Sequence, residues 1–118
     1  MSAAAEIDER LFVAVCPVDR LTPLRGVAAL IGGRAVAVFL LTDGEVVAFD
    51  NVDPCSDASV LSRGIIGDVA GIVTVASPMY KQRFDVHTGR CLDREGVSVA
   101  VHSARLENGV IEVALSCR

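Results

Sequence analysis

Six side chains in this sequence carry the soft or titratable donors most used in metal and redox chemistry: Cys16, Cys55, Cys91, Cys117, His87 and His102. They are widely scattered. No C-x-x-C pair occurs, so neither a zinc site nor a thioredoxin-type dithiol is available, and four reduced thiols are expected. Cys16, Cys91 and Cys117 read as small buried hydrophobes. Cys55, in Asp53-Pro54-Cys55, reads as an unreactive loop thiol lacking a neighbouring base, with a reactive thiol as the alternative. His87 stands in D-V-H-T-G, immediately before a turn, and is expected to be exposed there. His102 ends V-S-V-A-V-H and reads as a strand terminus facing solvent or a partner chain. With two histidines and no serine in a G-x-S-x-G elbow, little material exists for a charge-relay triad. Gly64, Gly67 and Gly71 lack the G-x-G-x-x-G spacing and a strand-then-helix context, and no phosphate loop is present. No catalytic residue and no metal site are therefore expected in this chain.

The elements that must position these groups read as strands. Leu11 to Cys16 is apolar and is ended by Pro17, and Val27 to Ile31 is closed by Gly32-Gly33, a tight-turn pair. Ala35 to Leu41 is apolar at every position, which fits a central strand covered on both faces. Asp43-Gly44 then predicts a hairpin into Glu45 to Phe49. Towards the C-terminus, Ser98 to Val101, Arg105 to Glu107 and Val110 to Leu115 read as strands, the last two joined by Asn108-Gly109. No helical period persists. Between these halves, Asn51 to Thr88 mixes short strands (Ile72 to Ala76 and Arg83 to Val86) with Pro54, Gly64, Gly67, Gly71 and Pro78, and loops of this kind often carry function. Residues 1–10, Ala-rich and acidic, read as a loose N-terminal arm, leaving residues 11–118 as one domain.

Composition agrees with a small all-β domain. The chain has 118 residues, of which 52% are hydrophobic but only 4% aromatic, so its core must be built from Val, Ala, Leu and Ile. A net charge of -4 has the wrong sign for tracking phosphate backbones, so no nucleic-acid partner is expected. No apolar run approaches a membrane span, and the start carries Glu6, Asp8 and Glu9 instead of a basic region followed by an apolar stretch. A cytoplasmic protein without membrane contact is the expectation.

Two segments then match an ordered pattern. Asp53-Pro54-Cys55 is followed by Leu61-Ser62-x-Gly64, and later by Ser77-Pro78-Met79-Tyr80-Lys81-x-x-Phe84-Asp85-x-x-Thr88-Gly89. Together they resemble the two cluster-binding loops of Rieske ferredoxins, in which each loop offers a Cys and a His. The resemblance implies an all-β, Rieske ferredoxin-like sandwich of small antiparallel sheets, with two long loops in the middle of the chain. It also places the four ligand positions on Asp53, Cys55, Ser77 and Tyr80. Such a cluster needs two thiolates on one iron and two imidazoles on the other, so these positions are vestigial and no cluster is expected.

The strings L-S-R-G-I-I-G-D (Leu61 to Asp68) and S-P-M-Y-K-Q-R-F (Ser77 to Phe84) are more specific. From about Leu11 onward the chain resembles the small subunits of bacterial assimilatory NAD(P)H-dependent nitrite reductase. That resemblance implies an oxidoreductase of nitrate assimilation, reducing nitrite to ammonium, in which this chain carries no cofactor. Sirohaem, an iron–sulfur cluster, FAD and NAD(P)H would belong to its partner, the large catalytic subunit. The loop tip is then expected to dock on that partner through Asp53, Pro54, Met79, Tyr80, Lys81 and Arg83, types that include the interface-favoured Tyr, Met and Arg. The rival readings are a Rieske-type ferredoxin acting as an electron-transfer component, and a stand-alone protein-binding module.

Overall fold

The computed structural model describes residues 11–116, so the arm expected over residues 1–10 and the thiol of Cys117 lie outside the described residues. Nine strands are present among them: β1 (Val13–Pro17), β2 (Val27–Ile31), β3 (Arg34–Leu40), β4 (Val46–Asp50), β5 (Ile65–Val69), β6 (Ile72–Ala76), β7 (Arg83–Asp85), β8 (Val101–Glu107) and β9 (Val110–Ala114). They form a six-stranded sheet, ordered β1-β9-β8-β4-β3-β2, and a three-stranded sheet, β5-β6-β7. Every pairing between these strands is antiparallel.

The unbroken apolar run of β3 has a direct cause. β3 is paired on one side with β2 and on the other with β4. Alternate side chains leave a strand on opposite faces, and here each face meets a core. Ala37 and Phe39 pack with Val47, Phe49, Leu61, Val75 and Phe84 in one cluster. Val36 and Val38 pack with Ile31, Val46, Ala48, Ile111 and Val113 in the other. Burying such a Val or Phe side chain contributes about 1.5–3 kcal/mol. The first cluster joins the two sheets, and its Phe39 and Phe49 rings stack with centroids 5.7 Å apart.

Gly32-Gly33 and Asn108-Gly109 form the expected two-residue turns, closed by the pairs Ile31↔Arg34 and Glu107↔Val110, with positive φ throughout. Asp43-Gly44 does not. The Leu41 N–H bonds the Glu45 carbonyl at 2.8 Å and the Gly44 N–H bonds the Leu41 carbonyl at 3.0 Å. These bonds enclose a three-residue loop in which Asp43 Oδ1 accepts the Glu45 N–H at 2.9 Å. Two further expectations need correction. Ser98 makes only an isolated bridge with Arg90, and β8 runs without interruption from Val101 to Glu107, so Ser98–Val101 and Arg105–Glu107 are not separate strands. β5 was not foreseen, because Gly67 and Asp68 interrupt its apolar pattern. Its pairing with β6 from Ile65↔Ala76 to Val69↔Ile72 makes it a strand.

Candidate functional site

The two loops singled out by the sequence are built alike. The first leaves β4 and reaches the short 3-10 turn Leu61–Arg63, and the second connects β6 to β7. In the first, the Asp57 N–H closes onto the Asp53 carbonyl at 2.7 Å; in the second, the Lys81 N–H closes onto the Ser77 carbonyl at 2.9 Å. The closing residues, Asp57 and Lys81, have φ values of +62° and +64°. Pro54 and Pro78 occupy the second place of each turn, where a fixed φ limits the chain's freedom and keeps the preceding residue extended. The first side chain of each turn also accepts the N–H two residues on: Asp53 Oδ1 from Cys55 at 2.8 Å, and Ser77 Oγ from Met79 at 3.2 Å.

These equivalent turns meet at their first residues. Ser77 Oγ donates to Asp53 Oδ2 at 2.5 Å, and both residues are buried, at 1% and 0% exposure. Burial of a carboxylate is costly unless its oxygens are hydrogen-bonded, and both oxygens of Asp53 are. Asn51 anchors the first loop to its surroundings: its Oδ1 accepts the Ser62 N–H at 2.6 Å and its Nδ2 donates to Ser59 Oγ at 2.8 Å. Gly64, at the end of the 3-10 turn, is required by close approach, since a Cβ there would lie 2.6 Å from the Ala76 carbonyl oxygen.

The donor set does not fit a Rieske cluster. Asp53 and Ser77 supply a carboxylate and a hydroxyl, already committed to one another, where thiolates are needed. Cys55 and Tyr80 supply a half-buried thiol and an exposed phenol where imidazoles are needed. Among the described residues, no three His, Cys, Asp or Glu side chains come together in a way that could hold a metal ion.

The outer surface of the turns is apolar with a basic edge. Pro54, Pro78, Met79, Tyr80 and Lys81 are exposed, with Met79 at 46% and Tyr80 at 61%. Asp53 leaves the set expected to dock, because its carboxylate faces inward and has no exposed surface to offer. Pro78 joins it. Its place matches that of Pro54 in the first turn, an equivalence visible in the sequence as two x-Pro turns. Arg83 is half-buried and held by Asp93: Nη2 donates to Oδ1 at 2.7 Å, and Nε and the backbone N–H both donate to Oδ2. The side-chain hydrogen bonds from Arg83, then its backbone N–H, lower the Asp93 pKa to about 2, and the same pairing raises that of Arg83.

The histidines divide. His87 is exposed beside its turn, as expected, with Nε2 2.9 Å from Glu45 Oε2. His102 corrects the sequence reading: it lies inside β8 and is buried, with Nε2 2.8 Å from Asp50 Oδ1. Its Nδ1 accepts the Ser116 N–H at 3.0 Å. Asp50 is also held by Arg34, at 3.1 Å on each oxygen, so His102 completes a structural network. Cys91 is buried, and Cys16 is half-buried with its thiol pKa raised by burial.

Comparison with known proteins places this geometry. The family model of the Rieske-like [2Fe-2S] domain matches residues 11–114. The nitrite reductase (NADH) small subunit of Salmonella typhimurium is 43% identical over 100 residues, covering 84% of this chain and 93% of that protein. A Mycobacterium tuberculosis crystal structure, assigned as an NADH-dependent nitrite reductase small subunit, superposes with a TM-score of 0.87 at 47% identity, covering 91% of this chain and 96% of that one. The Klebsiella oxytoca nitrite reductase [NAD(P)H] large subunit is 38% identical over 107 residues, a segment that covers 91% of this chain but only 11% of that protein.

Proposed function

The chain belongs to the Rieske-like [2Fe-2S] domain family and, within it, to the small subunits of NAD(P)H-dependent nitrite reductase, and from that premise we propose that it docks on the large catalytic subunit without carrying a redox centre. One observation carries this reading. A sequence 38% identical to this domain occupies 11% of a Klebsiella oxytoca protein named as the large subunit itself. A domain joined to the large subunit in one relative and separate in another supports docking of the separate chain on the large subunit.

On this reading NAD(P)H, FAD, an iron–sulfur cluster and sirohaem belong to the large subunit, where nitrite is reduced to ammonium in the cytoplasm. The small subunit contributes a surface. The docking tip is Pro54, Pro78, Met79, Tyr80 and Lys81, with Arg83 at its edge. Supporting it is the exposure of Met79 and Tyr80. An aromatic and a thioether side chain held at a rigid turn can fill a partner pocket at little entropic cost.

The test is nitrite-dependent NAD(P)H oxidation by the large subunit, expressed with and without this chain, together with co-purification of the two. Activity and co-purification that depend on this chain are expected. A large subunit fully active alone and unable to bind this chain would remove the functional assignment and leave the fold.

A further inference from the structure

We infer that the Asp53–Ser77 hydrogen bond does the mechanical work that a metal cluster does in a cluster-bearing fold of this shape: it locks the two turn tips together as one rigid docking surface. The inference rests on the docking reading above. Two loops, 24 residues apart in sequence at their first residues, must be held side by side at the end of a small domain. Without a cross-link each would move independently, because exposed turns make few buried apolar contacts.

The cross-link is present in another chemistry. Asp53 and Ser77 start equivalent turns, each closed by its own backbone bond and by a side-chain bond to the N–H two residues on. The second oxygen of Asp53 and the hydroxyl proton of Ser77 are left over from these local duties, and the hydroxyl donates to that oxygen with Oγ and Oδ2 2.5 Å apart in a buried position. Burial shields this hydrogen bond from competing water, and a hydrogen bond in a low-dielectric interior is stronger than the same bond in water. Cys55 and Met79, whose N–H groups the two side chains hold, flank the exposed Pro54 and Tyr80. Asp53 and Ser77 are therefore positioning residues, and the tip that touches the partner is kept in shape from beneath.

The equivalence of the turns supplies a sharp test. Ser77→Ala and Asp53→Ser each break the link, whereas the exchange Asp53→Ser with Ser77→Asp rebuilds it with donor and acceptor reversed. Three readouts are needed: hydrogen exchange of residues 55–57 and 79–82 in the isolated chain, affinity for the purified large subunit, and thermal stability. Ser77→Ala is expected to speed exchange in both tips by about tenfold or more. It should also weaken binding by about tenfold, and the double exchange should restore both. Protection of the wild-type tips should be unchanged by a chelator. Tips that stay protected in folded Ser77→Ala, or that lose protection with chelator alone, would overturn the inference. Tyr80→Ala separates the two readings, since it should weaken binding without changing exchange. If Tyr80→Ala weakens binding and Ser77→Ala does not, docking at the tip stands and the link is unnecessary. If exchange rises in Ser77→Ala while neither variant alters affinity, the tip is not the docking surface, and the positioning role falls with it.

Discussion

At the scale of single residues, two groups have consequences that can be measured directly. Asp93 titrates at about 2 because Arg83 donates to both its oxygens. A carboxylate pKa lowered on folding stabilises the fold above the unfolded value, and that contribution is lost as pH falls from about 4 towards 2. The pair is partly exposed, so solvent screens it and the effect on global stability is small. The local effect is clear: a carboxyl-carbon NMR titration should place Asp93 near 2 in the wild type and close to its ordinary value in Arg83→Ala. His102 is the second group. Truncation to Ala leaves the Ser116 N–H without its acceptor and takes the imidazole from Asp50, so a loss of about 1–3 kcal/mol is expected. Urea unfolding with an unchanged slope would measure it. The sequence reading placed His87 correctly because its surroundings, D-V-H-T-G, are local. It misplaced His102 because burial there depends on Asp50 in β4, far away in the chain. The same limit hid the inward turn of Asp53. Its place in an x-Pro turn was legible, and the resemblance put Ser77 at a neighbouring ligand position, but the direct bond between the two side chains follows only from how the loops pack.

At the scale of elements, the turns decide what was readable. Gly32-Gly33 and Asn108-Gly109 announce their hairpins because two residues with positive φ form one compact turn. The hairpin between β5 and β6 uses Ala70-Gly71, with Ala70 at φ +52°, and an alanine gives no such signal. That mismatch predicts a gain. Ala70→Asn places a residue tolerant of this conformation in the turn and should raise stability by about 0.5–1 kcal/mol, read as a higher denaturation midpoint. Gly89 predicts the opposite. It sits at φ +82°, and a Cβ there would lie 2.0 Å from the Val99 carbonyl oxygen, whose own N–H bonds the Gly89 carbonyl. Gly89→Ala combines backbone strain with a clash against main chain that cannot rotate away, so a loss of at least about 3 kcal/mol is expected in the same experiment.

At the scale of the whole molecule, the six-stranded and three-stranded sheets share one buried core that includes Leu61, Val75 and Phe84 from the segments flanking the two turns. The alternation of β3 and β4 between two cores was visible as unbroken apolar runs, but which sheet each strand joined depended on pairings the sequence does not spell out. The relation to the larger protein carries a quantitative consequence. The Klebsiella oxytoca large subunit contains a matching segment amounting to 11% of its length, so in that protein a domain similar to this chain lies within the large-subunit polypeptide. Docking of the separate chain at the equivalent surface should therefore saturate at one small subunit per large subunit. Native mass spectrometry of the mixed subunits tests this: each large chain should gain a single 12.4 kDa partner, however great the excess of small subunit. A complex that takes up a second copy would mean that the free chain has a further binding surface, and the exposed tip described here could not account for both.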